Sequence, residues 1–174
     1  MTAIRASAAA IAFCAIVAAS AATAQESPLA GTFVNDGQSN DAIGKAIETA
    51  VAQMNFIKRP IARSRLKKTN PLYQRIEISR TATEVVVRFD AGKPVVMPAD
   101  GRTVKWTRDD GEQFDVTVTL REQGLVQTFV AEDGKRVNTF SIDPDGKLVL
   151  QVTLTSPQLP TPVSYQLVYR RPSH

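Results

Sequence analysis

Two spacings of apolar residues divide this chain. Between Asp41 and Ile57 the residues Ala42, Ile43, Ala46, Ile47, Ala50, Met54 and Ile57 recur every three to four positions. That period places them on one face of a helix, with Lys45, Glu48, Thr49 and Asn55 turned away from it. From Tyr73 onward the period falls to two. Phe114, Val116, Val118 and Leu120 alternate with Asp115, Thr117, Thr119 and Arg121, the pattern of a half-buried strand rich in β-branched residues. The same reading gives strands at Arg75 to Ser79, Glu84 to Phe89, Leu125 to Ala131, Arg136 to Ile142, Lys147 to Thr155 and Val163 to Arg170. Shorter ones fall around Val95-Val96-Met97 and Thr103 to Trp106.

Ahead of the first helix, Leu29 to Asn35 reads as a short strand, and Asp36-Gly37-Gln38-Ser39-Asn40 offers turn chemistry and helix N-caps. Pro60 suits the first turn of a second helical segment, Ile61 to Lys68 continues it, and Asn70-Pro71 ends it. In the strand region Asp100-Gly101, Asp110-Gly111, Gln123-Gly124, Asp133-Gly134 and Asp145-Gly146 each set a turn former before a glycine, which accepts positive φ. Strands joined by such turns run antiparallel. The predicted fold is mainly β, an antiparallel meander of about ten strands, with a helix or helical pair inserted after the first strand. A meander of that length closes into a barrel, because closure removes exposed edges.

The first residues change where this fold is expected to work. After Arg5, an apolar run from Ala8 to Val17 and the small-residue sequence Ala22-Thr23-Ala24 have the form of a signal peptide cleaved before Gln25. The run is too short to span a bilayer, and Phe13 before Cys14 is too large for lipoprotein processing. The expectation is a signal peptide over 1–24 and a single exported domain over 25–174, periplasmic or secreted, monomeric, with no membrane span. Cys14, the only cysteine, leaves with the signal, so the domain is held by its core and not by disulfides. The net charge of +4 drops by one with Arg5, a surplus too small to point to nucleic acid.

The chemistry on offer is sparse. His174 is the only histidine, so Ser-His-Asp and Cys-His nucleophile arrangements and a histidine-rich zinc site find no residues within the fold. Carboxylates cluster at Asp109-Asp110-Glu112, Glu132-Asp133 and Asp143-Asp145, each beside a turn glycine, where they serve their own backbone. Neither a metal site, a cofactor nor an enzymatic activity is expected. Lys58, Arg59, Arg63, Arg65, Lys67 and Lys68 crowd the second helix. Of these Arg63, Arg65, Lys67 and Lys68 are candidates for binding an anionic surface, although at helical spacing they point around the helix and complement its dipole. Phe89, Trp106, Phe114, Phe129, Phe140, Tyr165 and Tyr169, spread over the strands, either fill a solid core or line a cavity. With Met54 and Ile57 of the helical region they are the candidate ligand-binding residues.

Gly31-Thr32-Phe33 in the first strand resembles the G-x-W of the lipocalin and fatty-acid-binding superfamily. A first strand, two helices and an uninterrupted meander is similar to the intracellular fatty-acid-binding branch, in which the helices form a lid. Tyr165 to Arg170 resembles that branch's closing strand, with Leu167 in place of the arginine that usually helps a tyrosine hold the ligand's carboxylate. The resemblance implies that the first and last strands are neighbours and that Arg170 lies over the Phe33 ring. It also implies a non-enzymatic binding protein for a small apolar or amphipathic, lipid-like ligand. The other reading keeps the fold, packs the interior solid and binds an envelope component through the basic helix end or a strand edge.

Overall fold

The computed structural model describes residues 28–173, so the expected signal peptide lies outside the described residues. The chain runs β1 (Gly31–Asn35), α1 (Ala42–Val51), α2 (Lys58–Thr69), β2 (Arg75–Arg80), β3 (Glu84–Phe89), β4 (Val95–Pro98) and β5 (Val104–Thr107). It continues β6 (Gln113–Arg121), β7 (Gly124–Ala131), β8 (Gly134–Ile142), β9 (Leu148–Thr155) and β10 (Val163–Arg170). All ten strands join one antiparallel sheet in the order β4-β3-β2-β1-β10-β9-β8-β7-β6-β5. Sequential strands pair, and the first and last meet, so the sheet curls into a nearly closed barrel. The one break in the ladder lies between β4 and β5.

Period-two alternation sets which side chains enter the barrel. Val116 and Val118 on β6, Leu125 and Phe129 on β7, Phe140 on β8, Leu148, Leu150 and Val152 on β9, and Leu167 and Tyr169 on β10 are buried. The first helix contributes Ile43, Ile47, Ala50 and Val51 to the same core and packs on β10. Among the described residues no helix is long and apolar enough to cross a membrane.

Three details differ from the expectation. The first helix stops at Val51, and the second begins at Lys58, so Pro60 is its third residue. Proline remains harmless there, since first-turn amides have no intrahelical partner. Gly124 and Gly134 are not in the positive-φ region; a Cβ would lie 2.4 Å from the Phe140 carbonyl on the first and 2.8 Å from the Thr155 carbonyl on the second, so it is strand proximity that requires glycine.

The third concerns the junction of the two chain ends. β1 and β10 are paired, with Val34 opposite Arg170, but the guanidinium over Phe33 belongs to Arg171, 4.8 Å from the ring centroid. Tyr165, Leu167 and Tyr169 face inward on β10, so the adjacent Arg170 must face out, and it bonds the Ser173 hydroxyl instead. Arg171 lies just past the strand and escapes the alternation. It folds back to donate to the carbonyls of Pro28 (2.9 Å) and Ala30 (3.2 Å). Gly31 admits it: its φ is +133°, and a Cβ would stand 2.5 Å from the arginine's Nη1.

Candidate functional site

The barrel is not packed solid. A cavity of about 860 Å³ lies between the lower face of α2 and the open ends of the strands. Its roof is Met54, Ile61, Ala62 and Leu66 from the helical region. The wall is largely aromatic. Trp106 lies 5.8 Å from Phe129 and 6.0 Å from Phe114, centroid to centroid, and Tyr73 lies 4.5 Å from Phe89. The indole N–H donates to the Pro94 carbonyl at 3.1 Å, so the tryptophan brings no unpaired polar group to the apolar wall.

One side of the cavity is polar. On β8 the inward positions are Arg136, Asn138 and Phe140, so the strand's parity carries an arginine into the wall. Its Nε donates to Asn138 Oδ1 (2.9 Å), Nη1 to Asn70 Oδ1 (3.1 Å) and Nη2 to the Tyr165 hydroxyl (3.3 Å). The chain goes deeper through Asn138 Nδ2 to Gln127 Oε1 at 3.0 Å and Gln127 Nε2 to Met97 Sδ at 3.5 Å. All three oxygens bound by the guanidinium are neutral. Burial pushes the Tyr165 phenol above its ordinary pKa, so it stays a protonated donor, and gives it to Asn70 Oδ1 at 3.1 Å.

Charges ring the mouth. Arg108 joins Asp110 and Glu112 on the β5–β6 turn, and its hydrogen bond holds the Asp110 carboxyl at a pKa of about 2. Lys58 and Arg65 of α2 also line the cavity, with Arg65 3.9 Å from Asp133 on the β7–β8 turn.

Five of the nine residues expected to bind ligand, Met54, Phe89, Trp106, Phe114 and Phe129, line this cavity. Phe140 and Tyr169 are wholly buried core outside its lining, and Tyr165 reaches it only through its hydroxyl network. Ile57 is turned to the surface, 63% exposed, because the helix ended six residues before it and helical facing no longer applied. Of the basic candidates, Arg63 is held in a two-point bond to Glu48 on α1 (2.6 and 2.7 Å), and Lys67 and Lys68 are exposed. Arg136, Asn70 and Tyr73 are new to the site. A charged residue at the inward parity of β8 was the available signal for Arg136. Asn70 gave none, because the end of a helix hides which way an asparagine faces.

No protein-family model matches the chain, and no curated protein sequence does. Solved structures do match in fold. A protein described as REP1-NXSQ fatty acid transporter superposes with a TM-score of 0.52 at 14% identity, over 84% of this chain and 97% of that one. A fatty acid binding protein from Schistosoma mansoni, in complex with arachidonic acid, gives 0.51 at 16%, over 85% and 98%. The wild-type fluorescent protein UnaG gives 0.52 at 19%, over 82% and 96%. With two helices after the first strand, ten antiparallel strands and a break between the fourth and fifth, this chain shares the β-barrel fold of those structures.

Proposed function

We propose that the protein is a non-enzymatic carrier, active after export, that encloses one amphipathic molecule with an anionic head group, such as a long-chain carboxylate. The observation that carries this reading is Arg136. A half-buried guanidinium in the wall of a largely apolar cavity bonds only neutral oxygens, and a charge partly withdrawn from water without an opposite charge is costly. A carboxylate at that point would supply the missing charge, while the Trp106, Phe114 and Phe129 wall would cover the hydrocarbon chain. The volume is ample for such a ligand. The fatty-acid-binding neighbours in fold agree with this reading, as does the shortage of nucleophiles.

A second observation favours delivery at an anionic membrane. Phe56, Ile57 and Ile61 are 82%, 63% and 62% exposed around the start of α2, where Lys58 lies, and Lys67 and Lys68 are exposed in the last turn of the same helix. Apolar side chains with cations around them suit a bilayer surface carrying negative charge.

Displacement of a fluorescent fatty-acid probe tests the carrier. cis-9-Octadecenoate should displace it, and Arg136→Gln should weaken the acid by roughly 10- to 100-fold, as loss of a hydrogen bond to a charged group implies, while leaving a long-chain alcohol unchanged. Absence of probe binding together with lipid-free purified protein would overturn the reading. In the same preparation, salt-sensitive flotation with phosphatidylglycerol vesicles, lost on Ile57→Ser with Ile61→Ser, would support the membrane surface, and flotation unchanged by those substitutions would dismiss it.

A further inference from the structure

Asn70 is one of three buried polar residues in the described chain, with Gln127 and Asn138. It caps the C-terminal end of α2: its backbone N–H bonds the Leu66 carbonyl at 3.0 Å, and its side-chain Nδ2 bonds the same carbonyl at 2.9 Å. That second bond fixes the amide so that Oδ1 faces the barrel. There it accepts from Arg136 Nη1 and from the Tyr165 hydroxyl, each at 3.1 Å. One sp² oxygen thus takes the guanidinium and phenol donors together. Those are the donors that a carboxylate oxygen of a bound ligand would seek.

Little else ties the C-terminal half of α2 down, where Leu66 is its only buried residue. The start of the helix is held by Arg59, which donates to the carbonyls of Ala52 (2.7 Å) and Met54 (2.8 Å), and by the Lys58 N–H on Asn55 Oδ1 (2.9 Å). Farther along, the other polar ties are the exposed Arg63–Glu48 pair and the 3.9 Å approach of Arg65 to Asp133. We infer that Asn70 is a built-in stand-in for the ligand's head group. Its amide oxygen occupies Arg136 and Tyr165 while the cavity is empty, and an entering carboxylate displaces it and unlatches the C-terminal end of α2. The exchange is favourable because a hydrogen bond between two charged groups is roughly twice as strong as one with a neutral partner. Loading and lid release are then one equilibrium, so that whatever weakens the Asn70 bond strengthens the head-group bond by the same factor. The inference rests on the carrier reading above.

Opposite shifts from two substitutions of one residue test it. Asn70→Ala removes the competitor and should tighten cis-9-octadecenoate by roughly two- to tenfold, the worth of one net hydrogen bond. Asn70→Asp keeps the shape and pairs its carboxylate with Arg136, at the cost of the Nδ2 bond to the Leu66 carbonyl, and should weaken the acid. In the wild type, saturating acid should speed exchange of the Asn70 and Thr69 amides, and a long-chain alcohol should not. An asparagine that merely supports the fold would weaken binding in both variants. That result, or acid that slows exchange at α2, overturns the latch and leaves the carrier standing. Failure of the wild type to bind the acid overturns both.

Discussion

Helices α1 and α2 are neighbours in sequence and in space, yet they belong to different parts of the energy balance. α1 buries Ile43, Ile47, Ala50 and Val51 against β10 and so is core. α2 buries Leu66 alone and is otherwise Lys58, Arg59, Arg63, Arg65, Lys67 and Lys68 around a short apolar strip. The first is fixed by area removed from water. The second is fixed by polar ties, to Ala52, Met54 and Asn55 at its start and to Glu48, Asp133, Arg136 and Tyr165 beyond it. Polar ties can be exchanged for bonds to a ligand or to water without opening the core, whereas apolar burial cannot. A barrel that must both persist and admit a molecule therefore needs one helix of each kind.

The largest effect should come from attacking that division directly. Ile47 is wholly buried, and Ile47→Ala should lower the unfolding free energy by about 2–5 kcal/mol. Ile61 is 62% exposed at the cavity roof, and Ile61→Ala should stay within about 0.5 kcal/mol of the wild type. Denaturant titration of both reads the difference. Equal losses would mean that α2 is as much core as α1, and the comparison would collapse.

The junction of the chain ends gives a smaller test within the rigid part. With its guanidinium 4.8 Å from the Phe33 centroid and its side chain at the surface, Arg171 should contribute roughly 0.5 to 1 kcal/mol, and Arg171→Ala should lose it. Arg170→Ala, one residue away, should be silent. The Arg171→Ala loss should shrink in a Phe33→Ala background to what the bonds to the Pro28 and Ala30 carbonyls supply. An equal loss in both backgrounds would remove the ring contact from the account.

That junction also shows how far the sequence can be read. The alternation in β6 to β10 and the turn formers between them made the meander legible, because a period of two is a property of the backbone alone. Pairing of β1 with β10 followed from Gly31-Thr32-Phe33 and the length of the meander. The choice between Arg170 and Arg171 did not, since it depends on where the last strand stops, and strand ends leave little trace in side-chain pattern. The site divides in the same way. Aromatic residues on regular strands, Phe89, Trp106, Phe114 and Phe129, could be placed at the cavity. Asn70 could not, because its position comes from a helix end meeting β8 and β10, a contact spanning 66 residues to Arg136 and 95 to Tyr165.

The smallest expected effect isolates a single tie of α2. Arg63 donates two hydrogen bonds to the Glu48 carboxylate, and that contact, more than the nearby charges of Lys67 and Arg59, holds the Glu48 carboxyl below its ordinary pKa of 4.5. A carboxyl whose pKa is lower in the folded protein stabilises the fold fully above 4.5, and the contribution fades as pH falls through the folded value. The pair is exposed, so the change should be confined to the link between the helices and barely register in global unfolding. Carbon-detected titration of the Glu48 carboxyl should give a midpoint below 4.5 in the wild type, returning toward 4.5 in Arg63→Gln. Amide exchange in α2, corrected for its intrinsic pH dependence, should quicken below that midpoint in the wild type and be independent of pH there in Glu48→Gln, with α1 unchanged in both. Quickening of α1 and α2 together would show that the helices move as one body, and the polar tie would then have no separate role in letting the cover go.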